Sequence, residues 1–111
     1  LTNIYVLLSR IGVIYGWIDQ SLKAKSLIEK ALINSQSKNG TDHINNCEIL
    51  FDLGTLYVNK LENYKKGKNL LKKSLKLHEK YYEKNNYKYS DVLCNLSTSY
   101  FKLGKYLNML Y

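Results

Sequence analysis

The side chains that could do chemistry are few and scattered along the chain. Of the two histidines, His43 falls in a joint between helical segments and His78 on the apolar face of one; neither has a carboxylate placed to orient it as a general base, so His78 is expected to be a packed or hydrogen-bonded imidazole. The two cysteines, Cys47 and Cys94, lie inside helical segments with no CxxC and no Cys/His cluster. They are expected to be reduced, packed thiols, which suits a reducing, cytoplasmic compartment and makes a disulfide or zinc site improbable. No phosphate loop, nucleophile elbow or metal-ligand spacing occurs. The expectation is therefore a segment without catalysis, metal or cofactor.

Charge is the next candidate for chemistry. The chain carries 17 basic against 9 acidic side chains, yet residues 1–59 are balanced, and ten lysines against three glutamates crowd residues 60–88. At 100° per residue, Lys65, Lys68, Lys72, Lys76 and Lys80 form one stripe, with Lys66, Lys73 and Lys84 beside it. Leu70, Leu71, Ser74, Leu75, His78, Tyr81 and Tyr82 cover the opposite half of this helix. Such a band can bind nucleic acid or an anionic membrane. The plainer reading is a solvated face: Arg10 is the only arginine, although bidentate phosphate recognition favours arginine, and the Lys, Asn and Tyr excess has the look of codon bias.

The elements that must position these residues are legible as repeats. Leu8-x-x-Ile11-Gly12-x-x-Tyr15 returns as Leu50-x-x-Leu53-Gly54-x-x-Tyr57 and as Leu93-x-x-Leu96-Ser97-x-x-Tyr100, at offsets of 42 and 43 residues. A fixed period of this length means stacked supersecondary units, none able to bury its apolar face alone. The chain of 111 residues fits one domain, residues 1–111, with repeats at about 3–40, 43–86 and a partial 88–111. It contains no proline, and no apolar run approaches the ~20 residues of a membrane span. A soluble helical protein is expected. It has no initiator Met and no recognisable signal peptide, and reads as a piece of something longer.

Apolar residues three and four apart predict helices over about 3–17, 20–37, 43–60, 63–85 and 88–103, with a stub from 105. Asn39-Gly40 suits a left-handed turn, with Thr41 or Asp42 capping the next helix; Asn85-Asn86 followed by Ser90-Asp91 is expected to do the same. Ile18-Asp19, Glu62-Asn63 and Leu103-Gly104 mark tight turns inside the repeats. Gly12 and Gly54, in mid-helix, would each cost about 1 kcal/mol relative to alanine, so a close helix approach is expected there, against Ala24 and Ala31 in the first repeat and Gly67 and Ser74 in the second.

With Ala24-x-x-Leu27-Ile28-x-x-Ala31-Leu32 and Gly67-x-x-Leu70-Leu71-x-x-Ser74-Leu75 following the first motif, the pattern resembles the tetratricopeptide repeat, and the long period is similar to the kinesin-light-chain subgroup. It departs from that pattern in lacking the proline that ends the second helix, in Gly67 for alanine, and in Met109 where a small residue belongs. The resemblance implies an all-α superhelical solenoid of antiparallel helix hairpins, two full repeats plus a partial third, that holds a peptide or partner helix in a concave groove. Carried over by position, the groove residues would be Ser9, Arg10, Val13 and Trp17; Phe51, Asp52, Thr55 and Asn59; and Cys94, Asn95, Thr98 and Lys102. Asn95 matches an asparagine that bonds a ligand backbone, whereas Ser9 and Asp52 replace the clamp that would hold a free carboxylate. Trp17 is a candidate anchor, with packing against the neighbouring hairpin the favoured expectation. Leu103, Leu107 and Leu110, left without a covering helix, offer a self-assembly surface and a possible homo-oligomer.

Overall fold

Helix-forming composition and short, polar joints leave the chain little choice but helix. The structure, a computed structural model, describes residues 3–83 and 87–110, with side chains described as far as Lys105. It contains α1 (Ile4–Trp17), α2 (Ser21–Asn39), α3 (Ile44–Asn59), α4 (Tyr64–Tyr81) and α5 (Tyr87–Leu110), with no strand among the described residues. The all-α expectation holds. No helix among those residues is long and apolar enough to cross a membrane.

Side chains cap three of the helix starts. Asn3 Oδ1 accepts from the Tyr5 N–H at 2.8 Å, and Asn63 Oδ1 from the Lys66 N–H at 3.3 Å. At α3 the cap is His43, whose Nδ1 accepts from the Asn45 N–H at 3.2 Å, and neither Thr41 nor Asp42 takes the role. The turn before it does use Gly40, at φ 88°. Asn46 Nδ2 ties that turn down by donating to the carbonyls of Gly40 and Thr41 at 2.7 and 3.0 Å, while Asn46 Oδ1 accepts from Ser35 Oγ at 2.6 Å. The two joints without glycine still turn through the left-handed region, at Asp19 (φ 63°) and Glu62 (φ 54°).

The third joint does not form. Leu103-Gly104 lies inside α5, which runs unbroken to Leu110, so the expected turn and separate stub are replaced by one helix. A lone glycine with no turn partner costs a helix only about 1 kcal/mol, too little to break it. Ser90 and Asp91 likewise fall within α5 instead of capping it, and α4 stops at Tyr81 with Tyr82 already extended, short of the predicted end at 85. The joint at Asn85-Asn86 and Lys84 lie outside the described residues, as do the side chains of Leu107, Met109 and Leu110 and all of Tyr111.

Packing centres on α3, which touches all four other helices. Pairs α1/α2 and α3/α4, each joined by a tight turn, meet at small-residue seams. A Cβ on Gly12 would stand 2.6 Å from Ile28 Cγ1, and one on Gly54 2.8 Å from Leu71 Cγ. Gly67 is tightest, its absent Cβ falling 2.5 Å from Val58 Cγ2 and 3.0 Å from the Gly54 carbonyl. Ile28 and Leu71, at these seams, are fully buried, as are Ile49 and Val92. One apolar face is left uncovered: Ile4, Leu7, Ile11 and Ile14 on α1 are exposed, whereas their repeat equivalents Asn46, Ile49, Leu53 and Leu56 on α3 are buried. On α5 the same register places Val92, Leu96 and Ser99, again buried, so this position is covered wherever a helix pair precedes it.

Candidate binding cleft

Helical spacing on α1 and α3 brings the first two groups of expected groove residues together except for Ser9, which is fully buried and lines neither cavity. Arg10, Val13 and Trp17 from α1 face Phe51, Thr55 and Asn59 from α3 across one cavity of about 210 Å³. Asp52 also lines it, and Gly16, Ile28 and Leu56 supply an apolar floor. Arg10 and Phe51 also border a second cavity of about 150 Å³, walled by Glu48, His78, Tyr87, Lys88 and Asp91. The two form one cleft running from α1 past α3 to the start of α5.

Trp17 corrects the favoured expectation of packing: it is 73% exposed at the lip of the cleft. Asp52 is the reverse, a carboxylate only 4% exposed. It accepts from Ser9 Oγ at 2.7 Å and stands 3.5 Å from Arg10 Nε. Burial pushes its carboxyl up to about 6, against the downward pull of Arg10 and of the Ser9 hydroxyl. Arg10 also pairs with Glu48, which in turn pairs with Lys88. Burial alone would raise Glu48, but hydrogen bonds from Lys88 and Arg10 outweigh it and hold the carboxyl below its ordinary value. Lys88 is raised by that same bond to Glu48. The pairs lock α1, α3 and α5 to one another through charge-assisted hydrogen bonds at the cleft floor.

The third group does not join this cleft. Cys94, Thr98 and Lys102 are exposed on α5, and Thr98 Oγ1 donates back to the Cys94 carbonyl at 3.0 Å. Asn95 Nδ2 donates to the Asp91 carbonyl one turn earlier, at 3.1 Å, so its amide serves its own helix. The thiols also divide, Cys47 buried and Cys94 exposed, so the expectation that both are packed fails for Cys94. Both are free.

Residues not singled out from the sequence complete the site. Glu48 precedes Asp52 by one turn of α3 and so shares its face, a signal the spacing did contain. The meeting of Cys47 and His78 carried no signal of its own. His78 is 2% exposed, with Nδ1 2.7 Å from Cys47 Sγ and 3.0 Å from the Ser74 carbonyl, and its ring stacks obliquely on Tyr82 at 5.3 Å. Burial pushes the Cys47 thiol up to about 12, which keeps it protonated and chemically inert. Two buried side-chain polar atoms among the described residues have no partner, Thr55 Oγ1 and His78 Nε2.

The lysine face points outward. Lys65, Lys72, Lys76 and Lys80 are exposed, while Lys68 is half-buried with its ammonium 5.6 Å from the Tyr100 ring centre. Of the opposite half, Leu71, Ser74 and His78 are buried but Tyr81 is exposed, its hydroxyl donating to the Asp42 carbonyl at 2.7 Å.

Fold and cleft together define an all-helical, repeat-patterned protein with a groove that is apolar-floored in its larger cavity and ion-paired in its smaller one. Comparison with known proteins found no family model that matches the chain and no curated protein similar to it.

Proposed function

We propose that this chain is a protein-interaction scaffold of the tetratricopeptide type, a superhelical stack of helix hairpins that binds a peptide or a partner's helix and performs no catalysis. The observation that carries the reading is the cleft: seven side chains chosen by repeat position, Arg10 through Asn59, line one cavity between α1 and α3. Supporting it are the 42- and 43-residue period and the glycine seams that bring paired helices close. Fixed helices present these groups at little entropic cost, so affinity comes from pre-organisation. The test is selection of short random peptides displayed on phage against the intact chain, followed by measurement on a Trp17→Ala, Asn59→Ala variant. Both residues are exposed, so the fold is kept while binding drops at least tenfold. A library that yields no binder refutes the scaffold reading.

A second reading rests on the lysine face. None of Lys65, Lys68, Lys72, Lys76 and Lys80 has an acidic partner among the described residues, which leaves five cations on one helix face for a phosphate backbone or an anionic membrane.

A further inference from the structure

We infer that the cleft recognises its ligand through hydrogen bonds at Thr55 Oγ1 and His78 Nε2, and that it takes a peptide segment carrying an apolar side chain beside an uncharged hydrogen-bond donor. The inference rests on the scaffold reading and specifies what that scaffold binds. Buried polar side-chain atoms nearly always have partners, and each exception calls for an explanation. Here the two unpartnered atoms belong to residues that line the two halves of the same cleft, Thr55 in the larger cavity and His78 in the smaller.

The chemistry of each half sets what fits. In His78, Nδ1 lies 3.0 Å from the Ser74 carbonyl oxygen, which can only accept, so this nitrogen carries a hydrogen, and the tautomer with its hydrogen there presents a lone pair at Nε2. The Nδ1 edge is taken up by Ser74 and Cys47 and the ring packs on Tyr82, while Nε2 is buried without a partner in a residue that borders the smaller cavity. That lone pair asks for a donor. The charged walls around it are balanced, Arg10 and Lys88 against Glu48 and Asp91, and Glu48 already holds both cations. An entering ammonium would meet Arg10 and Lys88, and an entering carboxylate Glu48 and Asp91, each at a desolvation cost. An amide or a hydroxyl meets neither penalty. In the other half, Val13, Trp17, Ile28 and Leu56 form the aliphatic and indole part of the lining of an open cavity of about 210 Å³, more than the ~150 Å³ that holds a benzene ring in an apolar cavity, so an aromatic or branched side chain is accommodated. Thr55 lines that half with its buried Oγ1 unpartnered, and on this inference it bonds the peptide group or side chain that follows.

The experiment uses the phage-selected peptides and calorimetry on wild type, Thr55→Val and His78→Phe. The expected consensus sets a large apolar residue near Asn, Gln, Ser or Thr, and each protein variant weakens binding about five- to tenfold, as loss of one hydrogen bond does. Replacing the peptide's polar residue by an isosteric apolar one costs wild type the same factor and the matching variant nothing more. Should His78→Phe fail to fold, as circular dichroism would reveal, Thr55→Val and the peptide's own substitutions decide the matter. Peptides that bind wild type and Thr55→Val equally, or whose consensus puts a charge in the polar place, overturn the inference while leaving the scaffold reading intact. Absence of any binder overturns both.

Discussion

Replacing Gly54 and Gly104 by alanine, one at a time, separates close helix packing from helix propensity. Both glycines lie inside helices, and in each case alanine gains about 1 kcal/mol of intrinsic helix preference. At Gly104 nothing lies within 4 Å of the added methyl, so the whole gain is realised and the protein is stabilised by about 1 kcal/mol. At Gly54 the methyl would stand 2.8 Å from Leu71 Cγ, 3.0 Å from Leu71 Cδ2 and 3.2 Å from the Gly67 carbonyl. Leu71 is fully buried and the carbonyl is backbone, so neither can yield cheaply. Overpacking of this kind costs about 1–3 kcal/mol, which exceeds the propensity gain and leaves a net loss of about 1 kcal/mol. The two variants should therefore differ by about 2 kcal/mol, or on the order of 10 °C in Tm at the usual 4–8 °C per kcal/mol for a small domain. Urea unfolding followed by far-UV circular dichroism measures it. A Gly54→Ala protein as stable as Gly104→Ala would refute the seam, and a destabilised Gly104→Ala would restore the turn first read at Leu103-Gly104.

Four further outcomes are expected. Asp52 has its folded-state pKa raised to about 6 by burial, so its contribution to stability is complete below the unfolded value near 3.8 and is lost as pH rises through 6; by the 1.36 kcal/mol per pKa unit of linkage this amounts to about 3 kcal/mol, and an Asp52→Asn protein whose stability tracks wild type from pH 4 to 7 in urea titrations would contradict it. Leu53→Ala should cost about 2–5 kcal/mol and its repeat equivalent Ile11→Ala far less, because Leu53 is 3% exposed and Ile11 39%; equal losses in denaturant unfolding would mean that the α1 face is covered. Glu62→Gly, which relieves a non-glycine residue at φ 54°, should raise stability by up to about 1 kcal/mol, and a lower Tm in calorimetry would count against strain at that turn. Reversing Lys68, Lys72 and Lys76 to Glu should leave peptide binding unchanged and abolish any retention on heparin; retention that survives the reversal excludes the lysine face as an anion-binding surface.

The candidate site was partly legible before the structure. Positions Arg10, Val13 and Trp17 share one helical face, as do Phe51, Thr55 and Asn59, and the repeat offset aligns the two faces, so a local rule sufficed to bring them to one cleft. That rule failed for Cys94, Thr98 and Lys102, which line neither cavity, while Tyr87, Lys88 and Asp91, one to four turns earlier on α5, line the smaller one. The exposure of Trp17 had no sequence signal, because a large apolar side chain beside a turn reads alike whether a neighbour covers it or water does.

By itself the sequence determined the helical class, the period and the glycines of the seams, though not where α4 and α5 end, because helix preference, apolar spacing and small size are properties of short stretches of chain. Only the tertiary structure decided which polar groups meet. Cys47 finds His78, Lys88 finds Glu48, and Thr55 Oγ1 and His78 Nε2 find no partner among the described residues, since these outcomes depend on how far one helix slides and turns against another. A displacement of one or two ångströms there makes or removes a hydrogen bond while leaving the pattern of apolar contacts intact.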